Sequence, residues 1–136
     1  MVTTTVSQPQ TQLPPLIPRE ILFGNPERAR PQLSPDGKYL AYIAPDEKNI
    51  LQVWVRTVGQ QDDRQLTQDK KRGIRMYFWT FDGEQLIYLQ DADGDENWHC
   101  YAVNINTNIV RDLTPFQGVQ AQPLALDHNF PHEFLV

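Results

Sequence analysis

A chain of 136 residues is long enough for one hydrophobic core, and too short for two large domains. Its formal net charge of -5 argues against a surface built for nucleic acid or anionic membrane, either of which the summed field would repel. The single cysteine, Cys100, cannot close an internal disulfide, so nothing requires an oxidising compartment and the cytoplasm is the expected location.

Residues 1–18, MVTTTVSQPQTQLPPLIP, have neither the basic n-region nor the apolar h-region of a secretory signal and no span of membrane length. Rich in proline, threonine and glutamine, they bury too little apolar surface to offset their ordering entropy, and a flexible tail is expected. Residues 19–30 bring Ile21, Leu22 and Phe23 together and then meet the turn signal Gly24-Asn25-Pro26, which reads as a short docking segment.

The rest of the chain is an internal repeat of the period expected for propeller blades. Leu33-Ser34-Pro35-Asp36-Gly37-Lys38-Tyr39-Leu40-Ala41-Tyr42-Ile43 returns as Trp79-Thr80-Phe81-Asp82-Gly83-Glu84-Gln85-Leu86-Ile87-Tyr88-Leu89, a shift of 82 minus 36, or 46. Val53-Trp54-Val55 matches Cys100-Tyr101-Ala102, and Arg64-Gln65-Leu66-Thr67 matches Arg111-Asp112-Leu113-Thr114, a shift of 114 minus 67, or 47. The one-residue slip marks a loop insertion. Leu40 to Ile43 and Leu86 to Leu89 are apolar on both faces, as buried strands are. Asp36-Gly37 and Asp82-Gly83 supply the positive φ of a tight hairpin. The third strands, Leu51 to Arg56 and His99 to Asn104, are rich in β-branched and aromatic residues, and the cluster 104–108 closes the next turn.

Each copy is therefore expected to be a four-stranded meander. A third copy starts at Val119, with Leu126-Asp127 standing where Phe81-Asp82 stood and Glu133 to Val136 opening its next strand. The fold class predicted is all-β: a partial β-propeller of two four-stranded antiparallel blades, 31–70 and 71–116, plus the start of a third, 117–136. An array that stops in a strand is expected to be a propeller fragment, because repeat arrays close with polar terminal units.

Ser34-Pro35-Asp36-Gly37-Lys38 with Leu40-Ala41-Tyr42 resembles the blade signature of TolB-like and prolyl-oligopeptidase-type propellers. The run 19–28, the run Lys71-Arg72-Gly73-Ile74-Arg75 with Tyr77-Phe78-Trp79, and the run 91–101 containing Gly94-Asp95-Glu96-Asn97-Trp98-His99 together resemble the N-terminal half-propeller of bacterial dipeptidyl aminopeptidase and acylaminoacyl-peptidase relatives. The resemblance covers roughly residues 17–136. It implies a serine hydrolase whose propeller covers the active site and filters substrates by size, with a Ser-Asp-His triad in a separate C-terminal domain. The chain departs from that pattern, since its only serines are Ser7 and Ser34 and neither lies in a Gly-x-Ser-x-Gly elbow. No catalytic residue, no metal and no cofactor is expected.

The candidate ligand or peptide-contact loop is Asp91, Asp93, Asp95, Glu96 and Asn97. Its carboxylates suit a hard cation such as calcium or the α-amine of a peptide. EF-hand spacing does not hold, because Gly94 is fourth rather than sixth and the twelfth position is Ala102. The competing reading is a solvated hairpin loop whose Asp and Asn side chains bond the local backbone. His128 and His132 resemble a metal pair, but Pro131 prevents the helix that would align them. His99 reads as a packed or hydrogen-bonded imidazole and Cys100 as a small buried hydrophobe. The basic run 70–75 reads as a solvated connector neutralised by Asp62, Asp63 and Asp69. The tryptophans and tyrosines read as packing between blades.

The expected function is that of a non-catalytic propeller fragment with a structural or substrate-gating role beside a peptidase catalytic domain. The alternative is a stand-alone interaction module, favoured by Met1 as the start of an independent reading frame. The expected partners are that catalytic domain, or a second copy meeting the open blade edges. A peptide is expected as substrate only in a complete enzyme, and neither nucleic acid nor a membrane is expected.

Overall fold

The computed structural model describes residues 14–136, so most of the segment read as a tail lies outside the described residues. Residues 14–18 are exposed and irregular, and α1 (Arg19–Phe23) is a single exposed helical turn. Gly24 ends it, donating its N–H to the Glu20 carbonyl at 2.9 Å.

Two four-stranded antiparallel sheets follow. The first has the order β1 (Ala29–Leu33), β2 (Tyr39–Pro45), β3 (Leu51–Thr57) and β4 (Arg64–Gln65). The second repeats it with β5 (Tyr77–Trp79), β6 (Gln85–Gln90), β7 (His99–Asn104) and β8 (Val110–Asp112). A hairpin of β9 (Ala125–Leu126) and β10 (Phe134–Leu135) begins a third unit.

The repeat extends to individual hydrogen bonds. In all three units the aspartate of the first turn accepts the amide two residues on: Asp36 from Lys38 at 3.1 Å, Asp82 from Glu84 at 2.9 Å and Asp127 from Asn129 at 2.9 Å. Such a side chain imitates a backbone turn, and Gly37 and Gly83, both at φ 72°, carry the chain round where a Cβ would be strained. At the other end of the ladder, Thr67 accepts the Val53 amide and Thr114 the Cys100 amide, each at 2.9 Å. The one-residue slip lies between β6 and β7. Pro45 pairs with Leu51 and leaves five residues between them, whereas Gln90 pairs with His99 and leaves eight; extending that ladder by one pair, Asp91 with Trp98, leaves six.

Alternation along the strands sends Ala41, Ile43, Val53 and Val55 to one side of the first sheet. They join Ile74, Tyr77, Trp79, Leu86, Tyr88 and Val103 of the second unit in one buried cluster. At about 1.5–3 kcal/mol for each large apolar side chain withdrawn from water, this interface is the main source of stability. Polar bonds fix its register: Tyr77 donates its hydroxyl to the Arg30 carbonyl, Trp79 its indole N–H to the Gln32 carbonyl at 3.2 Å, and Gln32 returns an amide bond to the Tyr77 carbonyl at 3.1 Å. Phe78 points to the opposite side, where it meets Phe134 edge-on at 5.9 Å. The three units are thus stacked in chain order.

One face breaks the repeat. Shifted by 46 or 47, the second-unit residues Ile74, Tyr88, Val103 and Val110 correspond to Arg28, Tyr42, Arg56 and Asp63 of the first. Ile74, Tyr88 and Val103 lie in the core, whereas their counterparts form a polar cluster on the free side of the first sheet. There Arg56 Nη2 lies 2.6 Å from Asp63, Tyr42 donates its hydroxyl to the same carboxylate, and Arg28 stacks 4.9 Å from the Tyr42 ring centre. Burial costs Asp63 solvation, but the bonds from Tyr42 and Arg56 outweigh it and hold the carboxyl below its ordinary range.

Candidate functional site

In a meander the loop joining the second and third strands emerges at the same end as the connector to the next unit. That topology brings the acidic loop 91–97 against the basic connector 70–75. Asp91 is buried, and its carboxylate lies 2.9 Å from Nη1 of Arg72 and accepts the Glu96 amide at 3.3 Å. Arg72 continues to Glu96 at 3.6 Å and covers the Trp98 ring at 5.7 Å, while Lys71 Nζ donates to the Asp93 carbonyl at 2.8 Å.

Within the loop, Asp95 accepts the amides of Ala92 and Asn97, both at 3.1 Å, and the Asn97 side-chain amide at 3.0 Å. The Asn97 side-chain bond is the largest cause holding the Asp95 carboxyl below its ordinary range. Asp93, Gly94 and Glu96 all have positive φ, at 56°, 97° and 63°, so the loop curls tightly over the connector. The five candidate residues therefore share one loop with unequal commitments. Asp91 is engaged by Arg72, Asp95 and Asn97 bond each other and the backbone, Glu96 is exposed but still within 3.6 Å of Arg72, and Asp93 is exposed.

The sequence reading singled out the run containing Lys71 and Arg72 but did not foresee that these two residues meet the acidic loop. It paired the basic run with Asp62, Asp63 and Asp69, but Asp62 bonds Thr57 and Asp63 bonds Arg56, while Asp69 accepts the Gly73 amide of the run and the Gln90 side chain, the latter at 2.9 Å, and pairs with none of its cations. The available signal was topological: a 19-residue separation is invisible to local pattern, yet connector and loop must meet once the repeat is recognised as a meander.

Beside the loop, Trp98, Met76, Leu89 and Pro123 line an open groove of about 460 Å³ with Arg75 at its rim. Exposed acidic side chains, Arg72 and the apolar groove thus lie together at this end of the fold. Elsewhere, His99 Nδ1 lies 2.7 Å from Asp112, and its ring stacks on Tyr101. His128 and His132 face different carboxylates, Asp127 at 3.6 Å and Asp82 at 3.8 Å. Among the described residues no group of three or more His, Cys, Asp or Glu is placed to hold a metal ion, and no helix is long and apolar enough to cross a membrane.

No family model matches the chain. Dipeptidyl aminopeptidase BIII of Pseudoxanthomonas mexicana is 46% identical over 122 residues, which is 89% of this chain and 18% of that protein. Dipeptidyl peptidase family member 6 of Caenorhabditis elegans is 37% identical over 110 residues, 80% of this chain and 15% of that protein. The chain thus spans less than a fifth of the length of these curated relatives. In fold it is similar to the β-propeller domain of the Trilobed protease from Pyrococcus furiosus, with a TM-score of 0.52 at 22% identity over 62% of this chain and 27% of that one. In sequence and in fold, this chain is a relative of the β-propeller portion of the prolyl-oligopeptidase-type serine peptidases, the dipeptidyl aminopeptidases among them.

Proposed function

We propose that the chain is a non-catalytic propeller piece of such a peptidase, contributing structure and substrate gating when a hydrolase part is present. Ser34, the only serine within the described residues, supports the first half. It is buried, donates its hydroxyl to Asp36 at 2.7 Å and accepts the Tyr39 amide at 2.9 Å, so its oxygen is spent on the turn. Thr80 makes the equivalent bonds in the second unit, where it is plainly a turn residue.

The gating half is carried by the free side of the first sheet. The Arg28, Tyr42, Arg56 and Asp63 cluster stands where an apolar interface would otherwise form, and a seam of ion pairs separates at lower cost in water than apolar packing does.

The test is to assay the purified chain on dipeptidyl chromogenic substrates, alone and mixed with the hydrolase-bearing remainder of a dipeptidyl aminopeptidase. The expected result is no hydrolysis by the chain alone, and hydrolysis by the mixture that favours short peptides over long ones. Turnover by the chain alone would sink the non-catalytic reading, and equal rates on short and long peptides would sink the gate.

A further inference from the structure

Three Asp-Gly pairs occur in the chain: Asp36-Gly37, Asp82-Gly83 and Asp93-Gly94. Such a pair is able to cyclise on itself, because a residue without a Cβ leaves its amide nitrogen open to the carboxyl of the preceding side chain. The fold restrains the three unequally. At the first pair the Gly37 N–H donates to the Ser34 carbonyl at 2.8 Å, while the Asp36 carboxylate accepts the Ser34 hydroxyl at 2.7 Å and lies 2.9 Å from Lys38 Nζ. At the second the Gly83 N–H donates to the Thr80 carbonyl at 3.0 Å, while Asp82 accepts the Thr80 hydroxyl at 2.6 Å and the Glu84 amide at 2.9 Å.

The third pair lacks these restraints. Asp93 and Gly94 are exposed, at the centre of a turn closed by the Asp95 amide on the Ala92 carbonyl at 3.2 Å. Among the described residues the Gly94 N–H meets no acceptor, and the Asp93 carboxylate accepts no hydrogen bond and pairs with no cation; Lys71 bonds only the main-chain carbonyl of Asp93, at 2.8 Å. The bonds that restrain the first two pairs all come from neighbours in the same turn, so the contrast belongs to the turns themselves.

We propose that Asp93-Gly94 is a modification site at which the chain isomerises spontaneously to isoaspartate through a succinimide, in preference to the other two pairs. The Gly94 nitrogen attacks Asp93 Cγ, and as the N–Cγ bond forms the carboxyl hydroxyl leaves with the amide proton as water. A second water then adds its hydroxyl to the main-chain carbonyl carbon of Asp93, the bond from that carbon to nitrogen breaks, and the nitrogen takes back a proton. Water is the only co-reactant. The chain now runs through Cβ and Cγ, and the oxygen that Lys71 holds belongs to a free carboxylate. The added methylene lengthens the turn between Ala92 and Asp95 and loosens the acidic loop from the connector. The inference goes beyond the peptidase reading and does not rest on it.

Ageing the full 136-residue chain in warm neutral buffer, folded and in parallel unfolded in urea, tests it, with isoaspartate located by electron-transfer fragmentation of its peptides. In the folded chain isoaspartate should accumulate at residue 93 about tenfold or more faster than at 36 or 82, where hydrogen bonds to both reacting groups must break before the ring closes. In urea the three rates should converge. Asp93→Asn, which reaches the same ring by releasing ammonia, should form isoaspartate there faster than the parent chain, and Asp93→Glu, whose ring would need a further carbon, should form none. Residue 93 is exposed, so folding should survive both changes, and far-UV circular dichroism checks that; the comparison of folded with unfolded parent chain needs neither variant. Absence of isoaspartate at 93, accumulation at 36 or 82 that matches it in the folded chain, a preference for 93 undiminished in urea, or an Asp93→Asn chain that ages no faster would each overturn the proposal.

Discussion

The guanidinium of Arg72 lies 2.9 Å from the carboxylate of Asp91, the one joining the connector between the two sheets to the loop between β6 and β7. Asp91 is only 3% exposed at its side chain and Arg72 is 38% exposed, so the pair is half-screened on one side and buried on the other. Replacing Arg72 with methionine keeps much of the aliphatic contact over Trp98 but strands the Asp91 charge. Discounted for the arginine's exposure, the loss should be about 2 kcal/mol. Urea denaturation checks this, and Arg72→Met combined with Asp91→Leu should recover part of the loss.

Gly73, the one glycine of the connector 70–75, should resist replacement. Its φ is 78°, and a Cβ there would lie 2.8 Å from the Leu51 amide nitrogen, at the contact where the Ile74 amide bonds the Leu51 carbonyl. Gly73→Ala combines backbone strain with a backbone clash and should cost about 2–4 kcal/mol. Gly37→Ala, with the same sign of φ and nothing within 4 Å, should cost about 1 kcal/mol. Comparable midpoints for the two variants in thermal melts would contradict this reading.

Thr67 and Thr114 each satisfy a buried strand amide, so Thr→Val at either position preserves shape while leaving the Val53 or Cys100 N–H without its acceptor. Each substitution should lower stability by about 1–3 kcal/mol. Native-state hydrogen exchange should show the exposed defect at the amide of residue 53 or 100 respectively, and a loss spread evenly over both sheets would argue against a local cause.

The turn aspartate gives the fold an acid-sensitive step. Its bond from the Ser34 hydroxyl, with further help from Lys38, lowers the Asp36 carboxyl to about 2. Because the folded value lies below the unfolded one, the contribution is present above the ordinary carboxylate range and is lost as pH falls from about 4 toward 2. Asp46, Asp62 and Asp95 are shifted in the same direction by comparable bonds. Unfolding free energies measured across this interval should fall with pH, and Asp36→Asn should flatten the slope.

The polar cluster on the first sheet should show strong coupling. Asp63→Val alone leaves Arg56 and Tyr42 without their acceptor and should cost about 1–3 kcal/mol. Adding Arg56→Val recreates the Val103 and Val110 pair of the second unit and should return part of that loss. A double-mutant cycle measures the coupling, and strictly additive effects would mean that the three groups do not act together.

The repeat was legible in the sequence because a hairpin leaves a local imprint. An aspartate two residues before the amide it accepts, a glycine at positive φ and a two-faced apolar strand all act over a few positions, and they marked both sheets and the start of the third unit. The acidic loop was legible for the same reason, down to the Asp and Asn bonds within it. Tertiary structure alone decided where that loop's charges go. Arg72 and Asp91 are 19 residues apart and meet only because strand order returns both segments to one end of the fold. It also decided which apolar and polar faces meet, since Val103 and Arg56 occupy the same place in the repeat, yet one packs against a neighbouring sheet and the other holds Asp63 at a free face. Burial depends on what stands opposite a residue across the fold, and the order of residues along the chain does not contain that information.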